Sequence, residues 1–214
     1  MKDDEGSKNN SIKIVLIGNS GVGKTCISQK FINENKEIDL KPNSTIGASY
    51  FQKVLEIDGK VLVLDIWDTA GQEKYRSMGK MFYKDAYIVL FVYDITNEES
   101  FTELKNVWYK ELINTGEKHA ILAVVGNKTD LFENEQVNEE EARNWAKEIG
   151  AIFGLVSAKT GVGINTLFEN VLKKYLSPDF VVQINNEKIK KRESINLKKE
   201  DNNNRNKKNN KCCL

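Results

Sequence analysis

A glycine-rich loop between a predicted strand and a predicted helix restricts the fold more than any other segment. The sequence GNSGVGKT, residues 18–25, directly follows the apolar run SIKIVLI and matches the pattern G-x-x-x-x-G-K-[ST]. Such a loop wraps closely around polyphosphate and offers backbone N–H groups, which requires glycine where a side chain would hold the chain away. The loop predicts a phosphate site, but alone it does not distinguish ATP from GTP, or a kinase from a hydrolase.

Two side chains at the end of this loop carry specific chemistry. Lys24 supplies a positive charge for the outer phosphates, and the Thr25 hydroxyl can ligate Mg²⁺. A chance glycine-rich turn is the alternative, and it leaves the strand, the lysine and the hydroxyl unexplained. The candidate nucleotide-binding residues here are Ser20, Gly21, Val22, Gly23, Lys24, Thr25 and Cys26.

The segment WDTAGQE, residues 67–73, ends another predicted strand. Asp68 can hold a magnesium ion through a water, the Gly71 N–H can reach a γ-phosphate, and Gln72 is placed to orient an attacking water. The pattern D-x-x-G is weak when it stands alone. Its position two strands after the phosphate loop makes it a strong signal.

Two later motifs predict recognition of guanine. NKTD and SAK, residues 127–130 and 157–159, each follow an apolar strand. The Asp130 carboxylate can accept hydrogen bonds from the N1–H and amino group of guanine, a donor pair that adenine lacks, which discriminates by roughly 10⁴-fold or more. The Lys128 stem can lie along the base, and the Ala158 N–H can bond guanine O6. The candidate base-binding residues are Asn127, Lys128, Asp130, Ser157, Ala158 and Lys159.

Hydrophobic periodicity predicts an α/β fold. Six short apolar runs read as strands, over residues 11–18, 50–57, 60–67, 87–94, 120–127 and 151–157, with helical patterns between most of them. The second and third runs flank Asp58-Gly59, a tight-turn signal, and are expected to be antiparallel. The expected architecture is a mostly parallel six-stranded sheet with one antiparallel edge strand and helices on both faces.

Helix starts and core positions follow from the same patterns. Thr96 with Glu99, and Asn138 with Glu141, predict helix N-caps with a returning carboxylate. Trp108, at helical spacing with other apolar residues, is interpreted as a core residue and not as part of a ligand site.

Charge divides the chain into two parts. Residues 183–214 hold ten basic and four acidic residues, a net charge of +6, whereas residues 1–182 carry −5. The tail is rich in asparagine and has few large apolar residues, so it is expected to be disordered. We expect a disordered N-terminus over residues 1–10, a folded domain over 11–176 and a disordered basic tail over 177–214.

Residue counts exclude several kinds of site. A single histidine, His119, excludes a multi-histidine metal centre and disfavours a histidine-based triad. Three cysteines, two of them adjacent, disfavour a disulfide framework. The first ten residues do not have the pattern of a signal peptide, and no apolar run could span a bilayer, so the chain is expected in the cytoplasm.

The ordered set GNSGVGKT, STIG, WDTAGQE, NKTD and SAK resembles the Ras superfamily of small GTPases over residues 11 to about 176. Within it, WDTAGQEKYRS, FYKDA, FVYDIT and the double-cysteine end resemble the Rab family, and STIGASY is similar to its early-endosomal branch. The resemblance implies a three-layer P-loop NTPase G domain that is monomeric and binds GTP or GDP. It also implies Mg²⁺ ligation by Thr25, Thr45 and Asp68.

A GTP-dependent switch in vesicle traffic is the implied function. Thr45 matches the first switch, residues 68–79 match the second, and the implied catalytic residues are Gln72, Lys24 and Thr45. Hydrolysis is expected to be slow without a GTPase-activating protein, which supplies an arginine worth roughly 10³–10⁵ in rate. The other implied partners are a guanine-nucleotide exchange factor, a GDP-dissociation inhibitor and effectors that bind the switches.

The Cys212-Cys213 pair resembles Rab ends that a geranylgeranyltransferase modifies together with an escort protein. Two prenyl chains anchor more stably than one, and the basic tail adds attraction to anionic lipid. The expected location is therefore the cytosolic face of an intracellular membrane, with an endosomal membrane indicated. A solvated tail with incidental cysteines is the alternative. Nucleic-acid binding is not expected, because no aromatic residue follows Phe180.

One departure from the family pattern and two alternatives stay open. The segment before Thr45 lacks the aromatic residue that usually covers the guanine, so Ile38 or Leu40 is the nearest substitute and nucleotide exchange is expected to be faster. A slow or non-hydrolysing nucleotide-dependent scaffold is the alternative to a GTPase. A P-loop nucleoside kinase is disfavoured, because NKTD and SAK specify guanine and no acceptor-binding lid is visible.

Overall fold

Six strands form one sheet in the computed structural model, which describes residues 11–33, 45, 47–71, 82–115 and 119–184. The strands are β1 Ile12–Ile17, β2 Ala48–Ile57, β3 Lys60–Thr69, β4 Ile88–Asp94, β5 Ile121–Asn127 and β6 Ile152–Leu155. Their order across the sheet is β2-β3-β1-β4-β5-β6. Only the β2–β3 pair is antiparallel among these strands, and β2 lies at the edge. The predicted sheet is confirmed.

The antiparallel hairpin follows from two residues with positive φ. Ile57 pairs with Lys60 across a two-residue turn of Asp58, with φ of 51°, and Gly59, with φ of 73°. A turn with two positive φ angles twists in the same sense as the strands it joins. The Asp-Gly signal therefore determined both the turn and the strand direction.

Helices cover both faces of the sheet. They are α1 Lys24–Ile32, α2 Glu98–Glu103, α3 Tyr109–Thr115, α4 Glu139–Glu148 and α5 Ile164–Leu176, with a π-helical turn at Leu104–Trp108 and a 3₁₀ segment at Thr129–Asn134. Val15 and Ile17 of β1 pack in one cluster with Phe101 and Trp108. The alternate residue Leu16 points to the opposite face and is equally buried. None of the helices in the described ranges is long and apolar enough to cross a membrane.

One of the two predicted helix starts is wrong by one residue. The Asn138 side chain accepts the Glu141 N–H at the start of α4, as predicted. At α2 the cap is Asn97, whose side chain accepts the Ser100 N–H. Thr96 does not cap the helix, because its N–H and its hydroxyl both donate to the Asp94 carboxylate.

The described residues fall into two compact units that divide between Lys174 and Tyr175. In the second unit, residues 178–184 are helical, and the Val181 N–H donates to the Ser177 carbonyl oxygen. The expected disorder from residue 177 is wrong here, because Pro178 occupies a first helical position, where its fixed φ is compatible and its missing N–H has no partner to lose. Residues 1–10 and 185–214 lie outside the described residues.

Substitutions at two glycines with similar φ angles test how closely β6 approaches the start of α5. A Cβ on Gly163, with φ of 77°, would lie 2.3 Å from the Leu155 carbonyl oxygen, whereas a Cβ on Gly150, with φ of 68°, meets nothing within 4 Å. Gly150→Ala is expected to lower the free energy of unfolding by about 1–2 kcal/mol through backbone strain alone. Gly163→Ala is expected to cost about 1–3 kcal/mol more, because the backbone must also move. Equal costs in urea unfolding would contradict the close approach.

Candidate functional site

The phosphate loop lies between β1 and α1, at the carboxyl edge of the sheet. Gly18 and Gly23 have φ angles of 141° and 95°. A Cβ on Gly18 would lie 2.1 Å from the Val92 carbonyl oxygen, and one on Gly23 would lie 2.2 Å from Asn127 Nδ2. These glycines therefore let the loop pack directly on the ends of β4 and β5, which larger residues would prevent.

Lys24 is almost fully buried beneath this loop, with 5% of its surface exposed. Its Nζ donates to the carbonyl oxygens of Gly18 and Asn19, each at 2.8 Å. Burial lowers the pKa of Lys24 to about 8, against the opposing attraction of Asp68. The loop thus holds an ammonium group in a desolvated position, where phosphate oxygens would interact with it strongly.

Three oxygen-bearing side chains converge beside the ammonium. The Thr25 hydroxyl donates to Asp68 Oδ2 at 2.6 Å and lies 3.1 Å from the Thr45 hydroxyl. The Thr45 hydroxyl lies 3.5 Å from the same Asp68 oxygen. These residues come from α1, from the segment that precedes β2 and from β3, so only the folded chain brings them together.

The Asp68 carboxylate has no exposed surface, and its Oδ1 has no hydrogen-bond partner in the described part of the chain. Burial raises the pKa of Asp68, and the bond from Thr25 and the charge of Lys24 oppose that rise. A buried oxygen without a partner is costly unless a further group binds it. Hard oxygen ligands of this kind suit Mg²⁺, so the donor set fits the predicted ion.

Asn127 joins the phosphate loop to the two later motifs. Its side chain is 1% exposed, its Nδ2 donates to the Val22 carbonyl oxygen at 2.8 Å, and its Oδ1 accepts the Ala158 N–H at 3.0 Å. The Ala158 N–H, which we predicted to bond guanine O6, is therefore engaged with Asn127. The two base-side loops and the phosphate loop thus meet at one side chain.

Asp130 lies beside the loop that follows β6. Its Oδ1 accepts the Ser157 hydroxyl at 2.6 Å, and its Oδ2 lies 3.7 Å from Lys159 Nζ. Asp130 is thereby oriented from two sides while its carboxylate keeps acceptor capacity for further donors. The structure brings Asp130, Ser157 and Lys159 together as the motif order predicted.

Sequence reasoning missed Asp94, which ends β4 between the two halves of the site. Asp94 Oδ2 lies 2.5 Å from Lys128 Nζ, and Lys128 has a left-handed backbone with φ of 71°. The carboxylate orients the lysine that we predicted to lie along the base. A signal was available, since Asp94 ends a buried strand at the same edge as Asp68 and Asn127.

The structure describes only some of the other predicted site residues. Gly71 packs on the phosphate loop, Val22 and Cys26 are buried, and Ser20 and Gly21 are exposed on the loop. The remaining predicted residues lie outside the described residues; they are Ile38, Leu40, Gln72, Cys212 and Cys213.

Comparison with known proteins identifies the family. The family model described as "Ras family" matches residues 13–177. The chain belongs to the Ras family. It is 39% identical over 176 residues to Ras-related protein Rab5A of Oryza sativa subsp. japonica, and the aligned region covers 82% of this chain and 85% of the relative. It is also 39% identical over 168 residues to human Ras-related protein Rab-22A, covering 78% and 85% of the two chains.

A third relative, Ras-related protein RHN1 of Nicotiana plumbaginifolia, is 39% identical over 169 residues, and the aligned region covers 78% of this chain and 83% of the relative. With these relatives, the chain is a Rab small GTPase of the early-endosomal branch. The resemblance drawn from the motifs is therefore confirmed. A Rab GTPase binds guanine nucleotide, hydrolyses GTP and regulates vesicle traffic, and regulators and effectors act on it.

The pKa of Lys24 predicts how nucleotide affinity of this Rab GTPase depends on pH. Burial lowers that pKa to about 8, and phosphate charges raise the pKa of a nearby lysine, so binding takes up a proton above pH 8. Affinity for GDP is expected to fall as pH rises beyond that value, by up to tenfold per unit. Titration with a fluorescent GDP analogue measures the slope.

Lys24→Arg is the matched control for this titration. Its guanidinium stays charged throughout the range, so its pH dependence reports all other groups, including guanine itself. A slope in the wild type no steeper than in Lys24→Arg would show that Lys24 does not titrate with binding.

Proposed function

We propose that this Rab GTPase binds GTP with Mg²⁺ at the carboxyl edge of the sheet and switches between two states as GTP is hydrolysed. The convergence of the Thr25, Thr45 and Asp68 oxygens beside the Lys24 ammonium carries the proposal. These groups match what a magnesium-bound triphosphate requires, namely hard oxygen ligands for the ion and a cation for the outer phosphates.

Each residue has a distinct task in the proposed mechanism. Thr25, Thr45 and Asp68 would hold the magnesium ion, which would supply positive charge to the phosphate oxygens. Lys24 and the loop N–H groups bind the polyphosphate and stabilise negative charge as the terminal phosphoryl group leaves. Gln72 orients the water that attacks it.

Guanine is recognised by the opposite half of the site. The Asp130 carboxylate, oriented by Ser157 and Lys159, accepts the N1–H and the amino group of the base. The Lys128 stem, held by Asp94, lies along the base plane. Asn127 maintains the distance between base and phosphate subsites, because it bonds to the loop on either side.

The switch rests on contacts that exist only with a γ-phosphate. Thr45 and Gly71 belong to the two predicted switch segments, and each lies at the phosphate side of the site. A ligand shifts a conformational equilibrium only by its difference in affinity for the two states. Loss of the γ-phosphate therefore releases both segments together.

Effectors are proposed to read an aromatic surface beside these segments. Tyr50 of β2 is 50% exposed and makes an edge contact with Trp67, at 5.3 Å between ring centroids. Phe82 lies 6.1 Å from Trp67 by the same measure. Large aromatic side chains of this kind contribute most of the binding energy in many protein interfaces.

Single-turnover hydrolysis tests the catalytic proposal against the scaffold alternative. Wild-type protein preloaded with [γ-³²P]GTP is expected to release phosphate slowly, on the order of 10⁻⁴ s⁻¹, and far faster with an activating protein. Gln72→Leu is expected to lose most of both rates, because leucine cannot orient water. Gln136→Leu, on an exposed loop, is the matched control. Intact GTP in the wild type after hours with an activating protein would establish the scaffold instead.

The tail is proposed to anchor the protein to an endosomal membrane through prenyl chains on Cys212 and Cys213. The exchange factor, GDP-dissociation inhibitor, escort protein and geranylgeranyltransferase are the partners this cycle needs. The basic residues of the tail add about 1 kcal/mol each near an anionic surface. The adjacent Cys212-Cys213 pair and the tail charge of +6 support the proposal.

Membrane partition tests this anchor. After prenylation with the transferase and escort protein, the wild type is expected to sediment with anionic vesicles, and Cys212→Ser/Cys213→Ser to stay in the supernatant. Each single variant is expected to bind reversibly, since one chain gives marginal affinity. Cys26→Ser, far along the sequence from the tail, is the control. Equal sedimentation of the double variant would refute the lipid anchor.

A further inference from the structure

A tryptophan of the helical layer makes a hydrogen bond to the phosphate loop. The Trp108 Nε1–H donates to Asn19 Oδ1 at 2.7 Å, and the two residues are 89 positions apart. Trp108 is only 3% exposed and Asn19 is half-buried, so the bond is partly shielded from solvent. Asn19 is the second residue of the GNSGVGKT loop.

Trp108 is the last residue of a π-helical turn. The Tyr109 N–H donates to the Leu104 carbonyl oxygen, five residues back, in place of the residue four back. Such a turn holds one more residue than an α-helical turn, which changes the direction of the side chains that follow it relative to a regular helix. Turns of this kind are uncommon and frequently lie at functional sites. The apolar spacing of the helix explains the burial of Trp108 but not this turn.

The peptide between Asn19 and Ser20 contacts both Lys24 and Gly71. Its carbonyl oxygen accepts Lys24 Nζ at 2.8 Å. A Cβ on Gly71 would lie 2.3 Å from Asn19 C and from Ser20 N, so this glycine of the predicted second switch packs directly on the peptide. Moving Asn19 would therefore disturb the Lys24 ammonium and Gly71 together.

We propose that Trp108 is a positioning residue that holds the phosphate loop in its binding shape through Asn19 and thereby slows nucleotide release. The inference rests on the proposed nucleotide site. A loop already fixed in its bound conformation loses less entropy on binding, and this advantage appears as slower dissociation. Because Trp108 acts through Asn19, it need not touch the nucleotide.

A double-mutant cycle on GDP release tests the proposal. Trp108→Phe keeps an aromatic ring and removes the N–H, and Asn19→Ala removes the acceptor. Each is expected to speed release of a fluorescent GDP analogue roughly 3- to 10-fold, the range of one net hydrogen bond. The double variant is expected to be no faster than the faster single variant, because both remove the same bond. Trp145→Phe, a tryptophan packed among Phe91, Phe101 and Tyr109, is the matched control and is expected to stay within about twofold of the wild type.

Indole N–H resonances give a second readout, which is taken from the Asn19→Ala variant with Trp108 in place. The chain has three tryptophans, and the indole ¹⁵N–¹H signal of Trp108 is assigned by its absence in Trp108→Phe. In Asn19→Ala this signal is expected to move to the chemical shift of an indole without a strong acceptor. An unshifted signal, multiplicative release rates in the double variant, or equal acceleration by Trp145→Phe would overturn the positioning role. Failure of the wild type to bind GDP would instead overturn the proposed nucleotide site, so the two failures are distinguishable.

Discussion

The side chain of Asn127 is the interaction on which the site depends most. Its amide donates to the phosphate loop at Val22 and accepts from the last loop at Ala158, so a single buried group connects segments that the sequence separates by more than a hundred positions. A buried amide that lost either partner would keep its desolvation cost without compensation. The two halves of the site therefore hold their separation only while both bonds are made.

Electrostatics at the same edge are arranged for a ligand and not for the protein alone. Burial opposes the charged forms of both Lys24 and Asp68, lowering one pKa and raising the other. Their mutual attraction offsets only part of that cost, and Asp68 Oδ1 keeps no partner among the described residues. A nucleotide with its metal ion would supply the missing charges. The site thus stores unfavourable desolvation that binding relieves, which is typical of functional sites.

The helical layer contributes to the site as well as to the core. Trp108 packs in the cluster that covers one face of the sheet, and its indole N–H reaches the phosphate loop. Asp94 likewise ends a buried strand and pairs with Lys128. Trp108 and Asp94 each belong to the buried part of the domain, and each directs a polar atom at a loop of the site. Stability and site geometry are therefore coupled.

The sequence by itself determined the features that depend on neighbouring residues. The glycine loop, the Asp58-Gly59 turn, the apolar strands and the order of the motifs are local patterns, and they established the sheet, its antiparallel edge and the family. Tertiary structure decided which polar atoms meet: Asp94 with Lys128, Ala158 with Asn127, and Trp108 with Asn19. It also decided that Asn97 and not Thr96 caps α2, since Asp94 engages Thr96. Local periodicity cannot specify such pairs, because each pair joins residues far apart in the chain that only the folded structure brings together.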